Sequence, residues 1–147
     1  MAIPTRSARP GTFFVSSVTH NRCRIFQVAA NAELFLKTLQ HYRHAGNFLL
    51  HDFVVMPDHV HLLVTPQGIT LERTMQLIKG GFSRKIESKF PVWQRGFTDH
   101  RVRDREDFLA RRRYIHENPV EAGLVHFAQD YPYSSAYPKA PSAAEAD

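Results

Sequence analysis

The sequence predicts one α+β domain of the ferredoxin-like type, an antiparallel sheet with helices packed on one face. Three observations indicate it. The predicted elements run strand–helix–strand–strand–helix–strand, which is the split βαβ order. A further helix follows the last strand. The 147 residues are 43% apolar, enough for one core without disulfide or metal support. Such a sheet leaves its second face open for a ligand and for the extra helix.

The first half of the chain supplies three strands and a helix. Residues 12–19 (TFFVSSVT) are rich in β-branched and aromatic side chains and predict the first strand. Residues 31–45 carry apolar side chains at helical spacing before a glycine, which predicts a helix. Residues 47–56 and 60–65 are strand-like and are separated by a Pro-Asp turn, so we expect an antiparallel hairpin.

The second half repeats the helix–strand pattern. Residues 70–90 predict a helix, although each glycine of the internal Gly-Gly pair costs about 1 kcal/mol relative to alanine. Residues 92–102 predict a polar strand, and acidic side chains after residue 104 mark a helix to about residue 117. Past an Asn-Pro pair we expect a separate helical turn as far as residue 123.

Domain boundaries and location follow from composition. We expect one domain over residues 1–137 and a disordered tail over residues 138–147, which are small, polar and proline-bearing. The sequence holds no run of about 20 apolar residues, which excludes a membrane span. A single cysteine cannot form an internal disulfide, and the basic start of the chain does not match a secretory signal. We therefore expect a cytoplasmic protein, associated with the nucleoid.

The charge balance favours a polyanionic partner. Lys and Arg number 19 against 14 Asp and Glu, with a pI of 9.7, so electrostatic steering favours nucleic acid. The predicted polar strand mixes aromatic and basic side chains, including Trp93, Arg95 and His100, which suits stacking on unpaired bases and contact with phosphates. Trp93 is equally compatible with the core. More arginines, among them Arg101, Arg103 and Arg112, lie on or just before the last helix.

Two histidines form the first candidate site. His59 and His61 are two apart in a strand, so both imidazoles project from one face while Val60 projects from the other. Two such imidazoles can converge on one divalent ion and leave positions for another ligand, water or substrate. The alternative is a chance H-x-H pair in a chain with nine histidines.

Tyr114 and Asn118 form the second candidate site. They are four apart on a predicted helix and share one face, so the Asn118 carboxamide could complete a three-ligand site beside the phenol. A metal that polarises a phosphate lets a phenolate attack it. In the structural alternative, Asn118-Pro119 ends one helix and caps the next, and Tyr114 is a core aromatic.

Three blocks together resemble a known family. Residues 56–64 (MPDHVHLLV), 92–104 (VWQRGFTDHRVRD) and 114–125 (YIHENPVEAGLV) are similar to the REP-associated tyrosine transposases. That family belongs to the HUH endonucleases, alongside the single-strand insertion-sequence transposases. The similarity covers roughly residues 10–137.

The resemblance implies specific roles. His59 and His61 would be ligands for Mg²⁺ or Mn²⁺, and Tyr114 would attack a DNA phosphate to leave a 5′-phosphotyrosine and a free 3′-hydroxyl. Asn118 would be the third ligand, where related insertion-sequence enzymes use glutamine. The partner would be single-stranded or hairpin DNA from palindromic repeats, bound by a monomer or homodimer. The candidate DNA contacts are Lys79, Arg84, Lys85, Trp93, Arg95, His100, Arg101, Arg103 and Arg112.

Three functional hypotheses follow. The leading one is a metal-dependent single-stranded DNA endonuclease and strand transferase that acts on hairpins. The second is a non-catalytic hairpin-binding protein of the same fold. The third is a small metallohydrolase that uses metal-bound water and requires His59 and His61 but not Tyr114.

Overall fold

A four-stranded antiparallel sheet with three helices forms the molecule. The computed structural model describes residues 11–138. The sheet has the order β2-β3-β1-β4, with β1 and β3 at its centre. Along the chain the elements are β1 (Phe13–Val18), α1 (Ala29–His44), β2 (Phe48–Met56), β3 (His59–Pro66), α2 (Leu71–Ile86), β4 (Thr98–Arg101) and α3 (Arg105–Glu121). The predicted order of elements and the ferredoxin-like fold class are both confirmed.

Each face of the sheet has its own apolar cluster. Val60, Leu62 and Val64 of β3 are buried in the main core together with α1 and α2. Alternate residues point the other way, and Leu63 packs with Ile115 of α3 in a smaller cluster. Helices α1 and α2 therefore cover one face of the sheet, and α3 crosses the other face.

The last strand is shorter than predicted. Only Thr98–Arg101 pair with β1, whereas residues 92–97 leave the ladder apart from a single bridge between Thr19 and Trp93. Gly96 has a φ of 81°, which extended strand geometry does not accommodate. The Lys79 ammonium donates hydrogen bonds to two carbonyls of this loop, which hold it in place.

The glycine pair does not interrupt α2. The helix begins after Thr70, whose hydroxyl caps the Arg73 amide, and ends at Ile86, four residues before the predicted boundary. A Cβ built on Gly81 would lie 2.8 Å from the ring of Tyr42 on α1. Gly81 thus permits the two helices to approach closely, which offsets its low helix propensity.

The last helix continues through its proline. The predicted end near residue 117 and the separate turn to residue 123 are wrong, because α3 is a single helix from Arg105 to Glu121 with Pro119 inside it. Asp104 caps it by accepting a hydrogen bond from the Asp107 amide. Pro119 is buried in the final turn, where a missing amide proton removes only one helical bond near an end that frays in any case.

The segment after α3 returns along the outer edge of β2. The amides of Val55 and Ser135 donate to the carbonyls of Tyr133 and Phe53, respectively, and the Tyr131 hydroxyl donates to the Val55 carbonyl. Residues 131–137 therefore belong to the folded unit. Apart from residue 138, the tail predicted over residues 138–147 lies outside the described part of the chain, as do residues 1–10.

Candidate catalytic site

The two histidines of β3 lie together on the face that α3 crosses. Their ring centroids are 4.8 Å apart. His61 is buried and stacks on Phe14 of the neighbouring strand, with centroids 5.3 Å apart, whereas the His59 side chain is 20% exposed. Strand alternation therefore places both imidazoles on one side of the sheet, at the boundary between the small apolar cluster and solvent.

One nitrogen of each imidazole is held by a neighbouring side chain. The Nδ1 of His59 lies 2.7 Å from the Asp58 carboxylate, whose second oxygen accepts from Arg22 at 3.3 Å. The Nδ1 of His61 lies 2.7 Å from the Ser16 hydroxyl. A carboxylate only accepts, so in the neutral imidazole the proton of His59 is on Nδ1 and the lone pair is on Nε2. This carboxylate–histidine arrangement is typical of metal-binding histidines.

The environment keeps His61 neutral. Burial, reinforced by the neighbouring His59, lowers the pKa of His61 to about 3. The neutral imidazole is the form that binds metals. Burial alone would raise the pKa of Asp58, but the hydrogen bonds from His59 and Arg22 outweigh it and lower that pKa, which favours the carboxylate.

Tyr114 projects from α3 towards the histidines. Its ring makes edge contacts with His61 and Phe14, with centroids 5.4 and 5.7 Å away. The side chain is 51% exposed, so Tyr114 is not a core aromatic. The structure thus brings the phenol and both imidazoles into one surface site, although the three residues are distributed over β3 and the last helix.

Asn118 lies one helical turn after Tyr114. Its Oδ1 is buried without a hydrogen-bond partner among residues 11–138, and the same holds for Nε2 of His61. Two buried polar atoms without partners are costly unless something binds them. Within this described range no three His, Cys, Asp or Glu side chains form a metal cluster. The groups on this face that could hold a divalent cation are the two imidazoles and the Asn118 amide oxygen, a donor set compatible with an ion that retains water or substrate ligands.

A buried carboxylate that the sequence analysis missed joins β2 to α3. Asp52 accepts hydrogen bonds from Arg112 Nε at 2.7 Å, His116 Nε2 at 2.8 Å and Ser135 Oγ at 2.8 Å. Burial alone would raise the pKa of Asp52, yet the bonds from these side chains lower it. Arg112, a predicted DNA contact, uses its Nε for this pair, and 43% of its side chain stays exposed.

A second buried carboxylate joins α3 to β4. Asp107 lies 2.7 Å from His100 Nε2 and also accepts from Arg103 and Arg111. The hydrogen bond with His100 is the main cause that holds the pKa of Asp107 well below its usual range. His100 and Arg103 were predicted to contact DNA, and the structure shows that both also fix the start of α3.

The other predicted DNA contacts separate into two groups. Trp93 packs against Phe26, Phe35 and Phe82, and its Nε1 donates to the Lys79 carbonyl, so it belongs with the core. The Lys79 ammonium lies 5.7 Å from the centre of the Trp93 ring. The exposed members of the predicted set are Arg84, Lys85, Arg95 and Arg101, together with Arg103.

An antiparallel sheet with a histidine pair on one face, and a tyrosine-bearing helix across that face, defines a site of the transposase class. The sequence model of the family described as "Transposase IS200 like" matches residues 14–118. The chain belongs to this family.

Individual relatives agree with this assignment. The chain is 29% identical over 134 residues to a REP-associated tyrosine transposase of Escherichia coli K12, covering 85% of this chain and 76% of the relative. It is also 29% identical over 143 residues to a Haemophilus influenzae protein provisionally assigned the same name, covering 85% and 79%. The solved structure of a REP-associated tyrosine transposase bound to a REP hairpin superposes with a TM-score of 0.75 at 25% identity, covering 92% of this chain and 82% of that one.

The sequence analysis predicted that the chain has no membrane-spanning segment. In the part of the chain that the structure describes, none of the helices combines the length and apolar character needed to cross a bilayer.

Proposed function

We propose that this protein nicks and rejoins single-stranded DNA next to a hairpin, with Tyr114 as the nucleophile and a divalent cation as cofactor. The observation that carries the proposal is the contact between the Tyr114 ring and His61, at a site where His61 Nε2 and Asn118 Oδ1 have no hydrogen-bond partner within residues 11–138. A half-exposed phenol beside these groups is accessible to a phosphodiester.

The reaction is a phosphoryl transfer to tyrosine. The Tyr114 hydroxyl loses its proton to solvent, and its oxygen forms a bond to phosphorus while the bond from phosphorus to the 3′-oxygen breaks. The departing 3′-oxygen takes a proton from water, which leaves a free 3′-hydroxyl and a 5′-phosphotyrosine. Attack by a 3′-hydroxyl on that linkage reverses the step, releases Tyr114 and joins the strands without an external energy source.

The protein's own side chains prepare the site. Asp58 and Ser16 fix the orientation of the two imidazoles, and burial keeps His61 neutral. His59, His61 and Asn118 would hold Mg²⁺ or Mn²⁺, which when bound would polarise the phosphate oxygens and stabilise the developing charge. Tyr114 needs no protein base under these conditions, because the phenol is open to water.

Charge and kinship favour hairpin DNA as the substrate. The chain has a formal net charge of +5, and Arg84, Lys85, Arg95 and Arg101 are exposed. Contacts from such residues to phosphates provide affinity that falls steeply with salt concentration and carries no base specificity. The related transposase that superposes on this chain was solved with a REP hairpin. We therefore propose palindromic hairpins with a single-stranded flank as the ligand.

The test is formation of a covalent adduct. A hairpin oligonucleotide with single-stranded flanks, taken from repeats of the host genome, is labelled at its 3′ end, because the 5′-phosphotyrosine retains the downstream strand. With Mn²⁺ the wild-type protein should form an adduct that survives denaturation, and EDTA should abolish it. Tyr114→Phe should form none, whereas the matched control Tyr137→Phe should behave as wild type.

Each other outcome selects a different function. Tight hairpin binding by the wild-type protein without an adduct, in Mg²⁺ and in Mn²⁺, would indicate the non-catalytic binding protein. Multiple-turnover cleavage by Tyr114→Phe would indicate hydrolysis by metal-bound water. An adduct that persists in Tyr114→Phe would assign the nucleophile to another residue.

A further inference from the structure

We propose that Asp52 is a positioning residue for Tyr114: it fixes the rotation of α3 about its axis and so the distance of the phenol from the histidine pair. This inference rests on the proposed role of Tyr114. Asp52 lies on β2 and is 4% exposed. Within residues 11–138 it forms no hydrogen bond or ring contact with His59, His61 or Tyr114.

The helical repeat places the two sets of contacts on opposite flanks of α3. At about 100° per residue, Arg112 and His116 lie about 40° apart on one flank, and Tyr114 and Asn118 lie equally close on the other. The first pair contacts β2 through Asp52, while Tyr114 contacts His61 of β3 and Phe14 of β1. The helix therefore lies across the sheet with one flank anchored and the other carrying the proposed chemistry.

Ile115 lies between the two flanks and acts as a pivot. It is fully buried in the cluster beneath α3, about 80° around the helix from each pair. Apolar packing is not directional, so this contact holds α3 on the sheet but resists rotation weakly. Hydrogen bonds to a buried carboxylate are directional and strong, so Asp52 supplies the missing restraint.

A small rotation of α3 about its axis is enough to slow the proposed attack by Tyr114. Side chains reach about 5–6 Å from the helix axis, so a rotation of about 20° moves a side-chain tip by about 2 Å. A misplacement of about 1 Å at a reacting group can reduce the rate by about 100-fold. Asp107 restrains the start of α3 through His100, but Tyr114 lies two turns further on, where Arg112 and His116 are the nearer attachments.

Asp52→Asn is the informative substitution. The side chain keeps its shape, but only one oxygen remains to accept, so the amide nitrogen replaces the acceptor of either Arg112 or His116 and one of the two helix contacts is lost. Ser135→Ala is the matched control, because Ser135 bonds the same carboxylate from the C-terminal segment and its loss leaves both helix contacts in place. His116→Gln serves as a second variant that weakens the attachment from the helix side if Asp52→Asn folds poorly.

Single-turnover rates separate positioning from stability. At saturating hairpin and Mn²⁺, and at a temperature well below unfolding, Asp52→Asn should form the adduct about 10–100-fold more slowly than wild type. Ser135→Ala should stay within about 3-fold, although both variants lose a buried hydrogen bond. The Kd for the hairpin should change little in either variant. Equal rates for Asp52→Asn and wild type, or equal losses in both variants, would overturn the proposal.

A second readout does not depend on catalysis. In protein labelled with fluorotyrosine, the Tyr114 resonance is assigned by its absence in Tyr114→Phe and senses the rings of His61 and Phe14. Asp52→Asn should shift or broaden this resonance, while Ser135→Ala should leave it in place. If the wild-type protein forms no adduct, the proposed function fails, and this spectrum still decides whether Asp52 positions Tyr114. An unmoved resonance in Asp52→Asn would refute the positioning role.

Discussion

The Ser16 hydroxyl lies 2.7 Å from Nδ1 of His61, and Nε2 of the same imidazole is buried with no partner among residues 11–138. β1 and β3 are hydrogen-bonded neighbours in which Ser16 is directly opposite His61, so the sheet register itself creates this contact. One hydroxyl on the adjacent strand thus determines which nitrogen of the histidine is available to a ligand.

Ser16→Ala should weaken metal binding without altering the ligands. With no partner on Nδ1, the His61 ring loses its fixed orientation, and we expect about 10–100-fold weaker Mn²⁺ binding. Isothermal titration calorimetry of the free protein measures this directly. Ser17→Ala is the control, since its hydroxyl is also buried but has no recorded partner in the described chain. Equal affinities for Ser16→Ala and Ser17→Ala would contradict the prediction.

Substitutions at Asn118 should distinguish a ligand from a structural residue. Asn118→Asp places a carboxylate where the amide oxygen has no partner in the described part of the chain and should tighten Mn²⁺ binding, whereas Asn118→Ala should weaken it. Neither change should alter the helix content measured by circular dichroism, because α3 is capped by Asp104 and passes through Asn118 without a break. Wild-type Mn²⁺ affinity in Asn118→Ala would remove this residue from the site.

The metal-free protein should lose stability as the pH falls below 6.5. The unfolded chain protonates His61 near pH 6.5, whereas the folded protein, in which its pKa is about 3, stays neutral. The unfolded state then binds more protons, so the free energy of unfolding falls as the pH is lowered from about 6.5 towards 3. The limiting slope for one such group is about 1.4 kcal/mol per pH unit.

Urea unfolding in EDTA tests this pH dependence. His61→Gln should show a smaller slope than wild type between pH 6 and about 4.5, while the two profiles should run parallel above pH 7, where His61 is neutral in both states. Identical slopes across the acidic range would show that His61 takes up a proton in the folded protein, and so that its burial is less complete than the structure indicates.

The two adjacent glycines of α2 should respond oppositely to alanine. Gly80→Ala meets only the mobile end of Arg84, at 3.3 Å, so the better helix propensity should raise the free energy of unfolding by up to about 1 kcal/mol. Gly81→Ala places a methyl group 2.8 Å from the Tyr42 ring and should destabilise the protein by about 1–3 kcal/mol. Thermal or urea unfolding of the two variants measures both changes in the free energy of unfolding. Equal changes in Gly80→Ala and Gly81→Ala would refute the close approach of α1 and α2.

The order of elements could be predicted because periodicity is a local property. The period-two alternation of β3 places Val60 and Leu62 in the core and His59 and His61 on the other face, as the sequence indicated. The helical spacing of Tyr114 and Asn118 left the proximity of Tyr114 to those histidines as one of two alternatives, and only the family resemblance favoured it, since nothing local specifies where the last helix docks. The exposure of the Tyr114 side chain in the structure then excluded the structural alternative, because a half-exposed tyrosine is not a core aromatic.

The remaining features depend on contacts between distant parts of the chain. Asp52 bonds residues 60, 64 and 83 positions away, and a lone acid in a strand-like run gives no indication of such partners. The shortening of β4 reflects the loop held by Lys79, which is also a tertiary contact. The continuous α3 was missed because the Asn-Pro pair is locally a stop signal, and packing of Pro119 overrides it.

The C-terminal segment that runs beside β2 has a consequence for self-association. A bare outer strand can recruit the same strand of another molecule, and extended pairing of this kind leads to aggregates. Residues 133–135 occupy the backbone groups of residues 53–55 and so protect the nine-residue strand β2, whereas the opposite border of the sheet is formed by β4, which has only four residues. Truncation before Tyr131 should therefore convert a well-behaved protein into an aggregation-prone one, even though every residue proposed for catalysis would still be present.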